Sequence, residues 1–170
     1  MNVAYGQHKS AAERIVAHCA VVTLSDTRDE QSDTSGRRIR ELLAEGGHHV
    51  ARYAVIPDDP ARLEALLDEL VHARDIDAIL TNGGTGISRR DQTIDVIERL
   101  IDHPLPGFGE LFRMLSWDQI ASGAMLSRAA GGVARGKLLF ATPGSTAAVE
   151  LAMTKLILPE LKHLLGELHK

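Results

Sequence analysis

Four short apolar runs alternate in this chain with stretches whose apolar residues recur at helical spacing, and that alternation narrows the fold more than any other feature. Val16–Leu24, His49–Ile56, Ile76–Leu80 and Lys137–Ala141 read as strands. After the first, a helix is expected from about Asp33, with Ile39, Leu42 and Leu43 on one face and Gly46-Gly47 as its stop. After the second, Asp59 is placed to cap and Pro60 to open a helix carrying Leu63, Leu66, Leu67, Leu70 and Val71. After the third, Ile94, Ile97, Leu100 and Ile101 share a face. Successive strands separated by helices are joined by crossovers and run parallel, so the expected class is α/β with a largely parallel sheet.

The rest of the chain is less regular. From His103 to Gly136 the periodicity weakens, and Pro104, Pro106, Gly107 and Gly109 interrupt it before a short helix expected around Glu110–Leu115. Phe108, Phe112 and Trp117 in this region read as core or as subunit contacts. A helix over Ala147–Leu158 is expected to be interrupted by Pro159 and followed by a terminal helix over Glu160–Leu168. With 170 residues, one core suffices: residues 1–14 are expected to form a mobile N-terminal arm and 15–170 a single domain.

A formal net charge of -4 argues against a general binder of nucleic acid or of membrane surfaces, so an anionic ligand must be met by local groups. Cys19 is the single cysteine, which excludes an intramolecular disulfide and favours a reducing compartment. Met1–Ser10 is too polar for a signal-peptide apolar region, and no apolar run reaches the roughly 20 residues of a membrane helix. Cytoplasmic residence is the expectation.

Chemistry concentrates in the loops that follow the strands. If those strands are parallel, Ser25–Glu30, Pro57–Asp59, Gly83–Asp91 and Pro143–Thr146 all open on one sheet edge and converge. Gly83, Gly84 and Gly86 permit positive φ and close backbone approach, so that successive N–H groups can face phosphate oxygens, with Thr85 and Ser88 adding hydroxyls. The pattern is neither a P-loop nor a GxGxxG fingerprint, and a tight structural turn would use the same residues. Asp91 suits a hard cation such as Mg²⁺, but it also suits the N-cap of the next helix. Asp58 and Asp59 share that ambiguity, and capping by Asp59 leaves Asp58 available. Arg89 or Arg90 could neutralise a phosphate. Asp26 and Ser127-Arg128 are weaker candidates, and Ser145 and Thr146 stand where a helix start either binds an anion or is simply capped. The eight histidines show no metal-ligand spacing, and no Gly-x-Ser-x-Gly elbow is present.

Thr81–Asp91, together with Ser25-Asp26-Thr27-Arg28, Pro106-Gly107-Phe108-Gly109-Glu110, Leu126-Ser127-Arg128 and Pro143-Gly144-Ser145, resembles the MoaB/MogA family of molybdenum-cofactor biosynthesis proteins. The resemblance covers nearly everything after residue 14. It implies a three-layer α/β/α sandwich with a mostly parallel central sheet, assembling as trimers or hexamers and binding molybdopterin. Active members adenylylate that pterin with Mg-ATP and release pyrophosphate. Carried onto this chain, the two essential acidic positions, which are also the metal ligands, fall on Asp58 and Asp91. Pterin-phosphate contacts fall near Ser127, Arg128 and Ser145, and the nucleotide site on Gly83–Gly86. Ser25, Asp26, Thr85, Arg90, Pro143 and Gly144 complete the implied binding set. The alternative within the same resemblance is a non-catalytic molybdopterin carrier that hands the precursor to a molybdenum-inserting enzyme. Within the resemblance, Pro-Gly-Ser-Thr at 143–146 and the early end after the last helix favour the MoaB branch, which is the expectation.

Overall fold

The computed structural model describes residues 12–89 and 91–170. Residues 1–11 of the expected arm, and Arg90, lie outside the described residues. The elements run β1 (His18–Leu24), α1 (Thr34–Glu45), β2 (His49–Ile56), α2 (Pro60–His72), β3 (Ala78–Asn82), α3 (Thr93–Leu100), β4 (His103–Pro104), α4 (Pro106–Ile120), β5 (Ala130–Ala134), β6 (Lys137–Thr142), α5 (Thr146–Ala152) and α6 (Leu158–Leu168). They build one six-stranded sheet in the order β2-β1-β3-β6-β5-β4. The first four strands in that order are parallel, whereas β5 pairs antiparallel with both β6 and β4.

Period-two alternation along the buried strands supplies both faces of the sheet at once. Cys19, Val21, Ala78, Leu80, Leu138 and Phe140 point to one side, where they meet Ile39 and Leu43 of α1, Phe108 and Phe112 of α4, and Val149 and Leu161 of α5 and α6. Ala20, Val22, Leu24, Ile79, Leu139 and Ala141 point to the other, against Leu63, Leu67 and Leu70 of α2 and Ile94 and Ile97 of α3. The result is the three-layer α/β/α sandwich. Cys19 is a core atom: burial, reinforced by Asp77, pushes its thiol up to about 12, so it stays protonated and unreactive.

Three expectations are corrected. The short helix of Glu110–Leu115 is in fact the 15-residue α4, because Pro106 opens the helix at a position that needs no N–H rather than breaking it. Gly109 inside that helix permits close packing, since a Cβ there would stand 2.6 Å from the Ala129 carbonyl oxygen. Strands β4 and β5 were not expected at all. Gly131 and Gly132 conceal β5, because their missing side chains make room for Phe140 and Ile101. Finally, Pro159 does not interrupt the last helix. A π-helical turn at Met153–Ile157, in which the Leu158 N–H reaches the Met153 carbonyl, joins α5 to α6 and places Pro159 in the first turn of α6, where its missing N–H is tolerated.

The link between α1 and β2 fixes a buried histidine. Gly47, at φ 75, reverses the chain while the N–H groups of Gly47 and His48 return to the carbonyls of Ala44 and Leu43. His48 is thereby buried with its Nδ1 accepting the Ala17 N–H at 3.0 Å. A ring nitrogen that accepts cannot also carry a proton, and burial, then the charges of Lys162 and His49, lower the His48 pKa from 6.5. In the unfolded chain the imidazole takes a proton first as pH falls. Stability is therefore complete above about pH 6.5 and declines below it. Urea midpoints measured between pH 8 and pH 5 should fall on the acid side, and His48→Gln, which keeps an acceptor but does not titrate, should flatten that decline.

Candidate functional site

The four parallel strands do bring their following loops to one edge of the sheet. The chain passes from β1 to β2 on one side and then to β3 on the other, so the topological switch point lies between β1 and β3. A cleft of about 480 Å³ opens there. It is lined by Ser25, Thr27 and Arg28 after β1, by Gly83, Gly84, Thr85, Gly86 and Asp91 after β3, and by Pro143, Gly144 and Ser145 after β6. Leu126 and Ser127 close it from the turn that follows α4.

Backbone contacts press the ends of β1, β3 and β6 together. Strand β3 runs two residues beyond its expected end, and Gly83 then donates to the Thr142 carbonyl at 3.1 Å. Gly83 has φ 99, and a Cβ there would stand 2.2 Å from the Leu24 carbonyl oxygen. Gly144 packs on the same residue, its Cβ position lying 3.0 Å from the Gly83 Cα. Three strand ends are thus pressed together around Gly83 by chains that carry no side chain at the contact.

The two candidate carboxylates reach the glycine turn from different directions. Asp58 follows β2, its N–H donates to the Asp26 Oδ1 at 3.1 Å, and its own Oδ1 lies behind Gly84, 2.6 Å from where a Cβ would be. Asp91 comes from the far end of the β3 loop, and its carboxylate lies 2.7 Å from the Cβ position of Gly86. It does not cap α3. The residue before that helix is Gln92, which makes no side-chain cap, and the Asp91 Oδ2 accepts the Ser88 N–H at 2.8 Å instead. The Ser88 hydroxyl, then the N–H groups of Ser88 and Gly86 and the Arg128 charge, hold Asp91 below the usual carboxylate range against the opposing effect of burial. Asp59, by contrast, caps α2 by accepting from Ala61 and Arg62.

The chain matches the family described as a probable molybdopterin binding domain over residues 20–163. It is 50% identical to molybdenum cofactor biosynthesis protein B of Bacillus cereus over 165 residues, covering 96% of this chain and 97% of that one. The chain belongs to the MoaB/MogA family. The protein of the same name from Bacillus subtilis is 47% identical, with 96% of each chain covered. Among solved structures, a molybdenum cofactor biosynthesis protein B at 50% identity superimposes with a TM-score of 0.89, covering 91% of this chain and 97% of that one. The tungsten cofactor synthesizing protein MoaB of Pyrococcus furiosus, at 34% identity, gives 0.82 with 91% and 98% covered.

The other candidate residues of this MoaB/MogA chain divide by what already engages them. Arg128 braces the glycine loop: its Nε donates to the Thr85 carbonyl at 3.3 Å, another nitrogen donates to the Asp91 carbonyl, and Asp95 lies at 3.8 Å. Ser145 caps α5 by accepting the Ala148 N–H at 3.2 Å while lining the cleft. The Ser25 hydroxyl accepts from the N–H groups of Thr27 and Arg28, which shapes the first loop, and Asp26 ties that loop to Asp58. Ser127 lines the cleft. Phe108 and Phe112 are buried in the core, whereas Trp117 is 59% exposed.

Sequence reading missed the polar cluster beneath the cleft. Asp33, fully buried, caps α1 through the Gly36 N–H and accepts from the hydroxyls of Thr23, at 2.5 Å, Tyr53, at 2.9 Å, and Ser35, at 3.0 Å. Burial alone would raise its pKa, but the Gly36 N–H and these three hydroxyls outweigh it and hold Asp33 ionised. Ser35 also bonds Asn82 at the end of β3, and Arg28 donates to Ser35 and to the Gly144 carbonyl. The one available signal was polarity inside apolar strands, at Thr23 and Asn82.

Asp33→Ala should destabilise the fold by about 3 kcal/mol in urea titrations, because it removes a helix cap and leaves buried hydroxyls unpaired. A second comparison isolates the backbone contact. Gly136 has φ 77 and nothing within 4 Å of its Cβ position, so Gly136→Ala should cost only the conformational strain, about 1 kcal/mol. Gly83→Ala adds a collision with the Leu24 backbone, and should cost roughly 3 kcal/mol or more by the same titration.

Proposed function

We propose that this chain is a molybdopterin adenylyltransferase of the MoaB type, using Mg-ATP and releasing pyrophosphate. The observation that carries the reading is the convergence of Asp58 and Asp91, from separate loops, on the Gly83–Gly86 turn at the switch point of the sheet. In the step envisaged, an oxygen of the pterin's terminal phosphate forms a bond to the α-phosphorus of ATP as the bond to the β-phosphate oxygen breaks. A phosphomonoester with a second pKa of about 6 is already largely dianionic at neutral pH, so no general base is required. The work left to the protein is to hold two anions in line and to balance charge on the departing pyrophosphate.

The donor set suits magnesium. Among the described residues no group of three or more His, Cys, Asp or Glu side chains could enclose a metal. Two carboxylates that leave the remaining positions to water and phosphate are the arrangement Mg²⁺ favours over a full protein cage. When bound, the ion would neutralise charge on the transferred and leaving phosphates. Asp58 and Asp91 would hold it, and Asp91, kept below its usual range, is ionised at neutral pH. With the Gly83 N–H held by the Thr142 carbonyl and the Gly86 N–H by Asp91, Gly84 and Thr85 would offer N–H groups to the polyphosphate, and Arg128 would keep that turn in place. Ser127, Ser145 and Arg28 border the rest of the cleft and suit the pterin phosphate.

A homo-oligomer, trimer or hexamer, belongs to the same reading. Met114, Trp117, Ile120 and Met125 expose apolar side chains together around the end of α4, a surface suited to subunit contact.

Incubating the protein with molybdopterin, ATP and Mg²⁺ and measuring the adenylylated pterin by mass spectrometry tests the proposal. Asp91→Asn should lower product formation more than about a hundredfold while leaving pterin affinity nearly unchanged, since it removes charge that acts on the transition state. Unaltered turnover would remove the metal-binding role. Tight pterin binding by the unaltered protein without product would replace the enzyme with a carrier.

A further inference from the structure

We infer that Thr93 is a further binding residue of the metal–polyphosphate site, its hydroxyl held beside Asp58 to hydrogen-bond a water of the Mg²⁺ shell. The inference rests on the adenylyltransferase reading and extends it to a residue outside the implied site.

Thr93 opens α3 and is 1% exposed, yet its Oγ1 makes no hydrogen bond. A buried hydroxyl without a partner is a net destabilisation, because it has given up water and gained nothing in return. Threonine at the first turn of a helix can bond a nearby backbone group, and this one does not. Its N–H is engaged, donating to the Gly84 carbonyl at 3.3 Å, so the residue is anchored while its hydroxyl stays unpaired.

The hydroxyl lies beside the proposed chemistry. The point where Gly84 would carry a Cβ lies 2.1 Å from Thr93 Oγ1 and 2.6 Å from Asp58 Oδ1. Two oxygens on elements 35 positions apart in the chain, numbered 58 and 93, thus meet behind one glycine of the turn. Any side chain at Gly84 would drive them apart. A hydroxyl can donate to one oxygen and accept from another, and a metal-bound water beside a carboxylate presents both needs. Partners of this kind, which orient the ligands of a metal without binding it, commonly matter for affinity.

The test uses Thr93→Val, which keeps the β-branched shape, and Thr93→Ser, which keeps the hydroxyl. The first readout is the melting temperature of the free protein. The second is the affinity for Mn²⁺ complexed with α,β-methylene-ATP, followed by the enhancement of water proton relaxation, a measurement that needs no turnover. Thr93→Val should melt at or above the temperature of the unaltered protein and bind the complex about tenfold more weakly. Thr93→Ser should bind within about twofold of the unaltered protein. A lower melting temperature for Thr93→Val with unchanged affinity would make the hydroxyl structural and overturn the inference. If the unaltered protein itself fails to bind the complex, the adenylyltransferase reading falls, and this inference with it.

Discussion

A buried carboxylate ties the site to the fold. Asp33 caps α1, receives hydroxyls from β1, β2 and α1, and sits within 3.7 Å of Arg28, which reaches across to the loop after β6. Ionised and desolvated, it would be a liability if any of these donors were missing, so the arrangement is all or nothing. That dependence keeps β1, β3 and α1 in one relation beneath the cleft. Through Ser35 and Asn82 the same network reaches the base of the glycine turn, so that turn begins from a fixed point.

Above the network, the structure relies on absent side chains. Gly83 lies against Leu24 and Gly144, Gly84 against Thr93 and Asp58, and Gly86 against Asp91. Apart from the Gly83–Gly144 contact, which is backbone on backbone, each of these places a carbonyl or side-chain oxygen close to where a Cβ would otherwise be. Glycines therefore do two things here: they permit positive φ at Gly83 and Gly84, and they let oxygens of Leu24, Asp58, Asp91 and Thr93 crowd the turn. In the proposed reaction, a turn assembled this way would present N–H groups of Gly84 and Thr85 to a polyphosphate with carboxylates close behind it. Charge repulsion between those carboxylates and an anionic ligand then makes a bridging cation the natural complement.

Much of this was legible in the amino-acid sequence, and the exceptions share a cause. Strands β1, β2, β3 and β6 and helices α1 to α3 follow from apolar periodicity, because each buries a face against a neighbour of the expected kind. Parallel strands then dictate a common edge for the loops, which is why Asp58, Asp91 and Pro143–Ser145 gather at or beside the cleft. Strand β5 was not legible, since Ala130–Ala134 contains two glycines that read as breakers and serve as spacers for Phe140 and Ile101. The length of α4 and the π turn before Pro159 were hidden likewise, because proline and glycine signal a break only where tertiary packing does not use them. Asp33 was passed over because its position looks like an ordinary cap. Its second role depends on Thr23, Tyr53 and Asn82, which local sequence does not connect to it.

The arginines show how the same residue type divides between scaffold and ligand in a chain of net charge -4. Arg128 has its guanidinium engaged by the carbonyls of Thr85 and Asp91 and stands near Asp95, so its charge is spent on the loop and on depressing Asp91. Arg28 lines the cleft while bonded to Ser35 and Gly144. Both therefore hold polar backbone or side chains in place, and both add positive potential near the site. In the proposed reaction, phosphate recognition would rest heavily on N–H groups of the glycine turn, whose dipoles are fixed in advance and need no reorganisation when charge shifts to the leaving group. That division explains why the loop is braced by an arginine at its back and lined by glycines at its front.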